Sequence, residues 1–298
     1  MSPKSTTPKP KLACEIASDR VLAGRLPDSG EGLEASASHE LAPGSVIPDL
    51  VENNLRRRDA VRAGIEATLG DMAGRSRDVI TILPDAAVRV MLVDFDTLPS
   101  DREEALGVVR FRLKKSLPFD VDKAKVSYHA QKVNNEMRVV AAVAMASVVE
   151  DYETAFVEAG FNPGIVLPST LAALGAADAK RPTLVIKVDA HTTSIAILNE
   201  DQLQLFRTLE NVRGAAITGE QLAEEVYPSV VFFQDTYHLN IEKIYIAGLA
   251  EVIGAAPALK AQTGADVEEL VSSTQLGASS GSSVPRWRMA GVVGALIS

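Results

Sequence analysis

Two aspartates near the end of an apolar run are the first candidates for chemistry in this chain. Asp94 and Asp96 flank Phe95, directly after an apolar run formed by Val88, Val90, Leu92 and Val93. Side chains two positions apart on a strand point to the same face, so the two carboxylates could share acid–base work. A solvated strand end explains the same pattern, and we favour that interpretation.

Other reactive side chains are scattered along the chain. His39, His129, His191 and His238 have no spacing that is typical of metal ligands. Cys14 is the only cysteine, so an internal disulfide is excluded, and its apolar neighbours predict a buried thiol. The short motifs of serine hydrolases, zinc proteases and Walker-type nucleotide sites do not occur. No reaction is therefore indicated by a local motif.

Composition and charge restrict the classes of function. The chain has 298 residues, 46% of them apolar and 23% charged, which is typical of a globular protein. The formal net charge of -9 argues against binding to nucleic acid. No run reaches the roughly 18 apolar residues of a membrane helix, so we expect no direct membrane insertion. Residues 1–10 are polar, do not resemble a secretory signal, and are predicted to be disordered.

The predicted strands and helices follow an order that occurs twice. In the first half, strands at residues 12–16, 21–26 and 33–40 precede a helix at 50–69 and a strand at 79–83. In the second half, strands at 184–188, 194–198 and 202–209 precede a helix from about residue 215, which Pro228 interrupts or kinks, and a strand at 241–247. Each half thus begins with two strands joined by a turn, which indicates a duplicated α/β fold.

A smaller unit is predicted between the two halves, at about residues 85–167. It comprises a strand at 88–93, a helix from Ser100 or Asp101 to Leu117, strands at 124–133 and 137–146 joined by a turn at 134–136, and a helix at 148–159. Further helices are predicted at 169–179 and 289–297. The serine-rich and glycine-rich residues 272–283 are predicted to form a mobile loop.

These segments, in this order, resemble the PilM family of type IV pilus assembly proteins, which are actin-like and related to the cell-division protein FtsA. The segments that carry the resemblance are LAPGSVIPDL, ILPDAAV, SLPF, EDYETAFVEAGFNPGIV and IEKIYIAG, spread over residues 12–297. The resemblance implies an α/β, actin-like (ribonuclease H-like) duplicated fold. Its parts would be a first subdomain at 11–84 plus 168–182, an inserted α+β subdomain at 85–167, and a second subdomain at 183–298 whose helical part is reduced.

The resemblance also implies a nucleotide site, with ATP and Mg²⁺ as its ligands. Nine positions match the family's site: Glu15, Ala17, Ser18, Asp19, Lys187, Asp189, Thr192, Thr193 and Gly248. In the family, two aspartates manage the magnesium ion, and glycines let phosphate approach the backbone N–H groups. Here Glu15 and Lys187 stand at the aspartate positions, and Ala17 and Asp189 stand at glycine positions. We expect nucleotide binding to be weak or lost, although Lys187 could instead neutralise phosphate.

The function implied by the resemblance is that of a cytoplasmic scaffold, peripheral to the inner membrane. It would bind the cytoplasmic tail of a PilN-like inner-membrane protein, together with other pilus assembly proteins, without hydrolysing ATP. We place the tail in a groove between the inserted unit and the first subdomain. The predicted contacts are Leu83, Pro84, Asp85, Leu117, Pro118 and Phe119. The alternatives are a working ATPase of pilus assembly and an FtsA-like membrane-associated filament protein.

Overall fold

Two five-stranded sheets with the same strand order organise the chain. The computed structural model describes residues 8–30, 32–133, 136–213, 216–250, 252–277 and 284–298. The first sheet contains β1 (Leu12–Ile16), β2 (Arg20–Arg25), β3 (Ala35–Glu40), β4 (Asp78–Leu83) and β8 (Asn162–Pro168), in the order β3-β2-β1-β4-β8. The second contains β9 (Thr183–Val188), β10 (Thr192–Asn199), β11 (Gln202–Glu210), β12 (Lys243–Ala247) and β13 (Asp266–Glu269), in the order β11-β10-β9-β12-β13. The predicted duplication is confirmed.

The pairing directions are also the same in the two sheets. Three antiparallel strands lie at one side of each sheet, and two further strands continue it in parallel. The first strand of each half, β1 and β9, is completely buried. Both strands are short continuous apolar runs with one charged residue each, which is typical of central strands covered on both faces.

The first helix, α1 (Arg58–Leu69), begins later than the predicted start at residue 50. The side chain of Asn54 donates hydrogen bonds to the carbonyl oxygens of Asp49 and Glu52, at 2.9 and 2.7 Å. Asn54 is buried, so these bonds hold residues 49–54 in a loop against the protein. Local side-chain bonds of this kind compete with helix formation.

The inserted unit is a three-stranded antiparallel sheet with helices on its two sides. Its elements are β5 (Arg89–Phe95), α2 (Arg102–Leu113), β6 (Ala124–Val133), β7 (Glu136–Met145) and α3 (Ala146–Glu158), with the strand order β5-β7-β6. Asp101 caps α2, as expected, by accepting hydrogen bonds from the backbone N–H groups of Glu103 and Glu104. The helix ends before the predicted Leu117. Residues 134–135 of the predicted turn lie outside the described residues.

Alternate residues of β7 face two different cores. Val139, Ala141 and Val143 pack with α2 in the core of the inserted unit. Ala142 and Ala144 instead join the core of the first sheet. This alternation is the ordinary period of a strand, and it couples the inserted unit to the first subdomain.

Four more helices complete the fold: α4 (Ser169–Ala173), α5 (Gly219–Tyr237), α6 (Val252–Thr263) and α7 (Ala290–Ile297). The predicted break at Pro228 does not occur, because α5 runs through it. Pro228 is exposed, while Val226, Ser229 and Val230 beside it are buried, so packing on both sides outweighs one lost hydrogen bond. The predicted start of this helix, near residue 215, lies outside the described residues.

The last helix, α7, packs against elements of the first half, although the predicted boundary places it in the second subdomain. It contacts α4 and the strands β1, β2 and β4, and its apolar side chains share one core with residues of both sheets. The helix therefore lies between the halves, although the sequence prediction assigned it to the second half alone.

Residues 272–277 are held by hydrogen bonds, in contrast to the predicted mobile loop. The Gln275 side chain donates to the Ala176 carbonyl oxygen at 3.1 Å, and the Gln275 carbonyl oxygen accepts from the backbone N–H of Leu33 at 3.0 Å. The rest of that predicted loop, 278–283, and residues 1–7 of the predicted disordered N-terminus lie outside the described residues. None of the helices within the described ranges combines the length and apolar character needed to cross a bilayer.

Candidate functional site

A cleft of about 180 Å³ lies where the carboxyl ends of β1 and β9 meet between the two sheets. The ends of parallel strands at such a junction are a common place for ligand sites. Seven of the nine predicted nucleotide-site positions line the cleft: Glu15, Ala17, Ser18, Asp19, Lys187, Asp189 and Gly248. The structure therefore brings these seven positions together.

A buried ion pair joins the two halves at this cleft. Glu15 of β1 and Lys187 of β9 occupy equivalent strands, and Lys187 Nζ lies 3.5 Å from Glu15 Oε1. Both side chains are more than nine-tenths buried. Ser169, at the start of α4, donates a short hydrogen bond to the same carboxylate oxygen. In the family that the sequence resembles, these two positions hold aspartates of like charge. Here they hold opposite charges that bind each other.

Three carboxylates surround the ammonium group of Lys187. Burial alone would lower the pKa of Lys187, but the negative charges of Glu15, Asp189 and Asp85 outweigh it and raise that pKa above its ordinary value. Burial raises the pKa of Asp85, an effect that the nearby Lys187 partly opposes. Lys187 is therefore positively charged at neutral pH. Its charge is already balanced by carboxylates of the protein itself.

Asp189 binds the backbone groups that a phosphate would need. Its Oδ1 accepts hydrogen bonds from the backbone N–H groups of His191 and Thr192, at 2.8 and 2.7 Å. Its Oδ2 accepts a hydrogen bond from the Thr192 hydroxyl at 2.9 Å. The Asp189 carboxylate thus occupies backbone N–H donors of the kind that can bind a phosphate in such turns.

Trp287 lies on the other side of the cleft. Its carbonyl oxygen accepts a hydrogen bond from the backbone N–H of Gly248 at 2.8 Å. The guanidinium groups of Arg20 and Arg288 lie 5.9 and 4.7 Å from the centre of an indole ring. These contacts are typical cation–π distances, and they hold the indole at the wall of the cleft.

The donors and charges of this cleft do not match those that a magnesium nucleotide needs. The Glu15 carboxylate is paired with Lys187. The Asp189 carboxylate accepts hydrogen bonds from backbone N–H groups of its own hairpin turn. The two remaining predicted positions, Thr192 and Thr193, are buried in β10 and do not line this cleft.

A second, apolar groove of about 200 Å³ lies between the inserted unit and the first sheet, where a partner-binding groove was predicted. It is lined by residues of β6, β7, α3 and β8, including Val126, Ala142, Val149 and Val166. The strands β6 and β8 are edge strands of their sheets, as far as the described residues show. An ion pair between Lys125 and Glu153, at 2.8 Å, lies beside the groove.

Most of the predicted contact residues do not line this groove. Leu83 does, but Pro84 and Asp85 are buried elsewhere. Asp85 accepts hydrogen bonds from the backbone N–H of Thr170 at 2.9 Å and from the Ser194 hydroxyl at 3.1 Å. Its carboxylate therefore binds groups of the protein itself.

The predicted corner at Leu117 to Phe119 lies on the opposite side of the inserted sheet. Leu117 and Phe119 are half-buried and pack with Val109 and Leu113 of α2, whereas Pro118 is exposed. The groove is on the face that carries Ala142 and Ala144. The sequence prediction was wrong in joining the two segments into one groove, because the inserted sheet separates them.

Of the two aspartates that flank Phe95, Asp94 forms an ion pair at the surface. Asp94 binds the guanidinium of Arg138 with two hydrogen bonds, at 2.7 and 3.1 Å, while Asp96 is exposed. Arg138 also donates to the Tyr237 hydroxyl at 2.6 Å and so links the inserted unit to α5. Among the described residues, no group of histidine, cysteine or acidic side chains could hold a metal ion.

The arrangement of the two sheets, the cleft and the inserted unit is that of the actin-like ATPase fold, and the predicted fold is confirmed. No protein-family model and no curated protein matches the chain. Among solved structures, it is similar to the PilM–PilN type IV pilus biogenesis complex, with a TM-score of 0.78 and 20% identity over 97% of this chain and 98% of the other.

Two further solved structures have the same fold at greater distance. One is a protein of Bacteroides thetaiotaomicron with an actin-like ATPase fold, with a TM-score of 0.54 and 9% identity over 86% of this chain and 89% of that one. The other is the cytoplasmic domain of EpsL, an inner-membrane component of the type II secretion system of Vibrio cholerae, with a TM-score of 0.52 and 11% identity over 96% and 94%.

Proposed function

We propose that this chain is a PilM-like cytoplasmic scaffold of a type IV pilus or related secretion machine. It would bind the cytoplasmic tail of a PilN-like inner-membrane protein and would reach the membrane through that partner. The observation that carries the proposal is the similarity in fold to the PilM–PilN complex over nearly the whole of both chains. The EpsL domain, from a different secretion machine, supports the same class of role.

The groove between β6 and β8 supports peptide capture. Its walls are mostly apolar, and within the described residues β6 and β8 each lie at the edge of a sheet, where an extended segment can pair. A peptide can therefore add to a sheet edge by main-chain hydrogen bonds while its alternate side chains enter the groove. Lys125 and Glu153 at the groove would bind polar groups of the peptide.

The cleft at Glu15 and Lys187 supports a role without ATP hydrolysis. Hydrolysis needs a bound metal ion and free donors for the phosphates. Here the Glu15 carboxylate is bound by Lys187 and Ser169, and the turn at Asp189 is closed by its own carboxylate. The chain would thus keep the shape of an actin-like ATPase and use it for assembly.

A synthetic peptide with the cytoplasmic tail of the PilN-like protein from the same organism tests the scaffold role. We expect binding near the micromolar range, about 8 kcal/mol, because such contacts are small and the tail is ordered on binding. Ser127 is exposed in the groove. We expect Ser127→Arg to weaken binding by about tenfold or more, since a long charged side chain would fill an apolar groove.

The matched control is Ser116→Arg, because Ser116 is equally exposed but lies after α2 and away from the groove. Isothermal titration calorimetry of both variants gives the comparison. Loss of binding in both variants, or full binding by Ser127→Arg, would remove the groove from the proposal. Absence of binding by the unaltered chain would contradict the scaffold role itself.

The alternative of a working ATPase is favoured by one observation, the convergence of seven predicted positions on the cleft. Thermal unfolding with MgATP distinguishes the two. A ligand at a hundred times its dissociation constant adds about 2.7 kcal/mol of stability, which is several degrees in Tm. We expect no shift at millimolar MgATP. A rise of several degrees that Ser18→Trp abolishes, and that Ser116→Trp leaves intact, would favour the ATPase.

A further inference from the structure

A wide groove of about 1000 Å³ lies between β5 of the inserted unit and β11 of the second half. It is lined by residues 88–90, at the start of β5, and by residues 206–210 of β11, which are consecutive along each strand. Because neighbouring side chains of a strand point to opposite faces, a groove with consecutive lining residues follows the backbone edge of the strand. Within the described residues, β5 and β11 are edge strands of their sheets. We name this site the β5–β11 groove.

Near the start of β11, side chains of the protein already occupy this strand edge. The side-chain amide of Gln131 donates a hydrogen bond to the Leu203 carbonyl oxygen at 3.0 Å, and its oxygen accepts one from the Leu203 backbone N–H at 2.9 Å. A residue of a neighbouring antiparallel strand would make the same two bonds. The Tyr237 hydroxyl donates to the carbonyl oxygen of Gln204 at 3.3 Å. The protein thus covers the edge of β11 as far as Gln204, and the groove begins at Phe206.

Two arginine side chains line the groove, one from each wall. Arg89 belongs to β5 and Arg207 to β11, and both are exposed. Arg207 donates a hydrogen bond to the Ser229 hydroxyl at 3.3 Å, and neither arginine forms an ion pair with another described residue. A guanidinium group can bind a carboxylate with two parallel hydrogen bonds, so each arginine offers a place for an acidic side chain.

The acidic side chains that line the groove leave these two arginines unpaired. Asp85 is buried and binds groups of the protein itself. The Asp49 carboxylate accepts hydrogen bonds from two backbone N–H groups of its own loop, at 2.7 and 2.8 Å. Glu210 is exposed at the last position of β11. The other large side chains of the groove are mostly apolar, and they include Val88, Val90, Phe206, Leu209 and Val212.

We propose that the β5–β11 groove binds an extended segment of a partner protein in which apolar residues alternate with acidic ones. The segment would pair with the edge of β11 beyond Gln204 by main-chain hydrogen bonds, and its carboxylates would bind Arg89 and Arg207. Residues 206–210 extend over about 17 Å, at about 3.4 Å per residue. An edge of that length suits a peptide, whereas a free anion would use only a small part of it.

This site is distinct from the groove between β6 and β8. Among their lining residues, the two grooves share only Val88. The inference therefore does not depend on the proposed scaffold role, and a partner tail in the other groove would leave the β5–β11 groove free.

Two fluorescent peptides test the charge preference. In both, valine alternates with a charged residue, which is glutamate in one peptide and lysine in the other. Because the net charge of the chain is -9, unspecific attraction favours the lysine peptide. We expect anisotropy measurements at physiological salt to show that the glutamate peptide binds at least about tenfold more tightly. A preference for the lysine peptide, or no binding of either peptide, would overturn the inference.

Charge reversal in the groove should exchange this preference. Arg89→Glu with Arg207→Glu should weaken binding of the glutamate peptide by about tenfold or more and strengthen binding of the lysine peptide. Arg89→Glu alone should give a smaller change in the same direction. Arg75→Glu with Lys180→Glu is the matched control, because it changes the net charge by the same amount at exposed positions outside the groove. Equal effects of the groove variant and the control would contradict the proposed site.

Hydrogen–deuterium exchange locates the bound glutamate peptide. Exchange should slow at residues 206–210 and stay unchanged in β6 and β8. Ser127→Arg, which alters the other groove, should leave the affinity for this peptide intact. Slower exchange in β6 and β8, or loss of binding in Ser127→Arg, would assign the peptide to the other groove and refute the inference. Displacement of the peptide by millimolar inorganic phosphate at constant ionic strength would refute it too, because Arg89 and Arg207 would then form a site for free anions.

Discussion

Replacing Lys187 by methionine is expected to destabilise the protein by about 3–5 kcal/mol, because it leaves the Glu15 carboxylate buried without its partner. The remaining charges make the cost larger, since Asp85 and Asp189 also face the position of the lost ammonium group. Urea unfolding followed by circular dichroism measures the loss. The slope of the transition should not change, so the effect should appear in the midpoint.

The double variant Glu15→Gln with Lys187→Met is the control for this prediction. It removes both charges and should recover most of the lost stability, since well-packed neutral groups often replace a buried ion pair without net cost. Glu15→Gln alone should cost less than Lys187→Met, because Lys187 keeps two other carboxylates nearby. A double variant that is less stable than Lys187→Met by the full cost of Glu15→Gln would show that the two side chains act independently.

The same pair gives a direction for the pH dependence. The pKa of Lys187 is raised in the folded protein above its ordinary value of 10.5. Its contribution to stability is therefore complete below that value and is lost as pH rises through the folded pKa. The unaltered chain should therefore lose stability relative to the double variant only in strongly alkaline solution.

Local sequence patterns predicted the repeated strands, because a buried strand is marked by residues that are close together in the sequence. The central strands are apolar runs bounded by turns, and the order in which they recur was enough to indicate duplication. The same reasoning failed where packing outweighed a local rule. Pro228 lies inside α5, and the polar side chain of Asn54 delays the start of α1.

Seven of the nine positions named from the sequence line one cleft, but the contacts among them were not predicted. Family resemblance placed Glu15 and Lys187 at one cleft, and it suggested that their charges would fail to hold a nucleotide. It did not indicate that the two would bind each other, or that Ser169 would join them from 154 positions away. Contacts of this kind depend on how the two sheets are docked, and no spacing in the sequence encodes that.

The residues that line the partner groove could not be predicted for a different reason. Leu83 and Phe119 both belong to segments typical of the family, and they were assigned to one surface. In the structure they lie on opposite sides of the inserted sheet, because that sheet has one face toward α2 and the other toward the first subdomain. Which face a corner packs on depends on strand order, which single segments do not specify.

Replacing Gly248 by alanine is expected to destabilise the protein by more than about 4 kcal/mol or to prevent folding. Gly248 has a positive φ of 85°, and a Cβ atom there would lie 1.7 Å from the carbonyl oxygen of Val188. That oxygen belongs to the backbone of β9, so the contact cannot be relieved by a side-chain movement. The Gly248 backbone N–H also binds Trp287, and a displaced loop would lose this bond.

The matched substitution is Gly107→Ala on the exposed side of α2, where an added Cβ meets nothing within 4 Å. This change should stabilise the protein by about 0.5–1 kcal/mol, because alanine loses less backbone freedom than glycine in a helix. Soluble yield and urea unfolding of the two variants, measured together, test whether the loop at Gly248 must approach β9 so closely. If Gly248→Ala folded with a midpoint near that of the unaltered chain, the loop at Gly248 would not need to lie so close to β9.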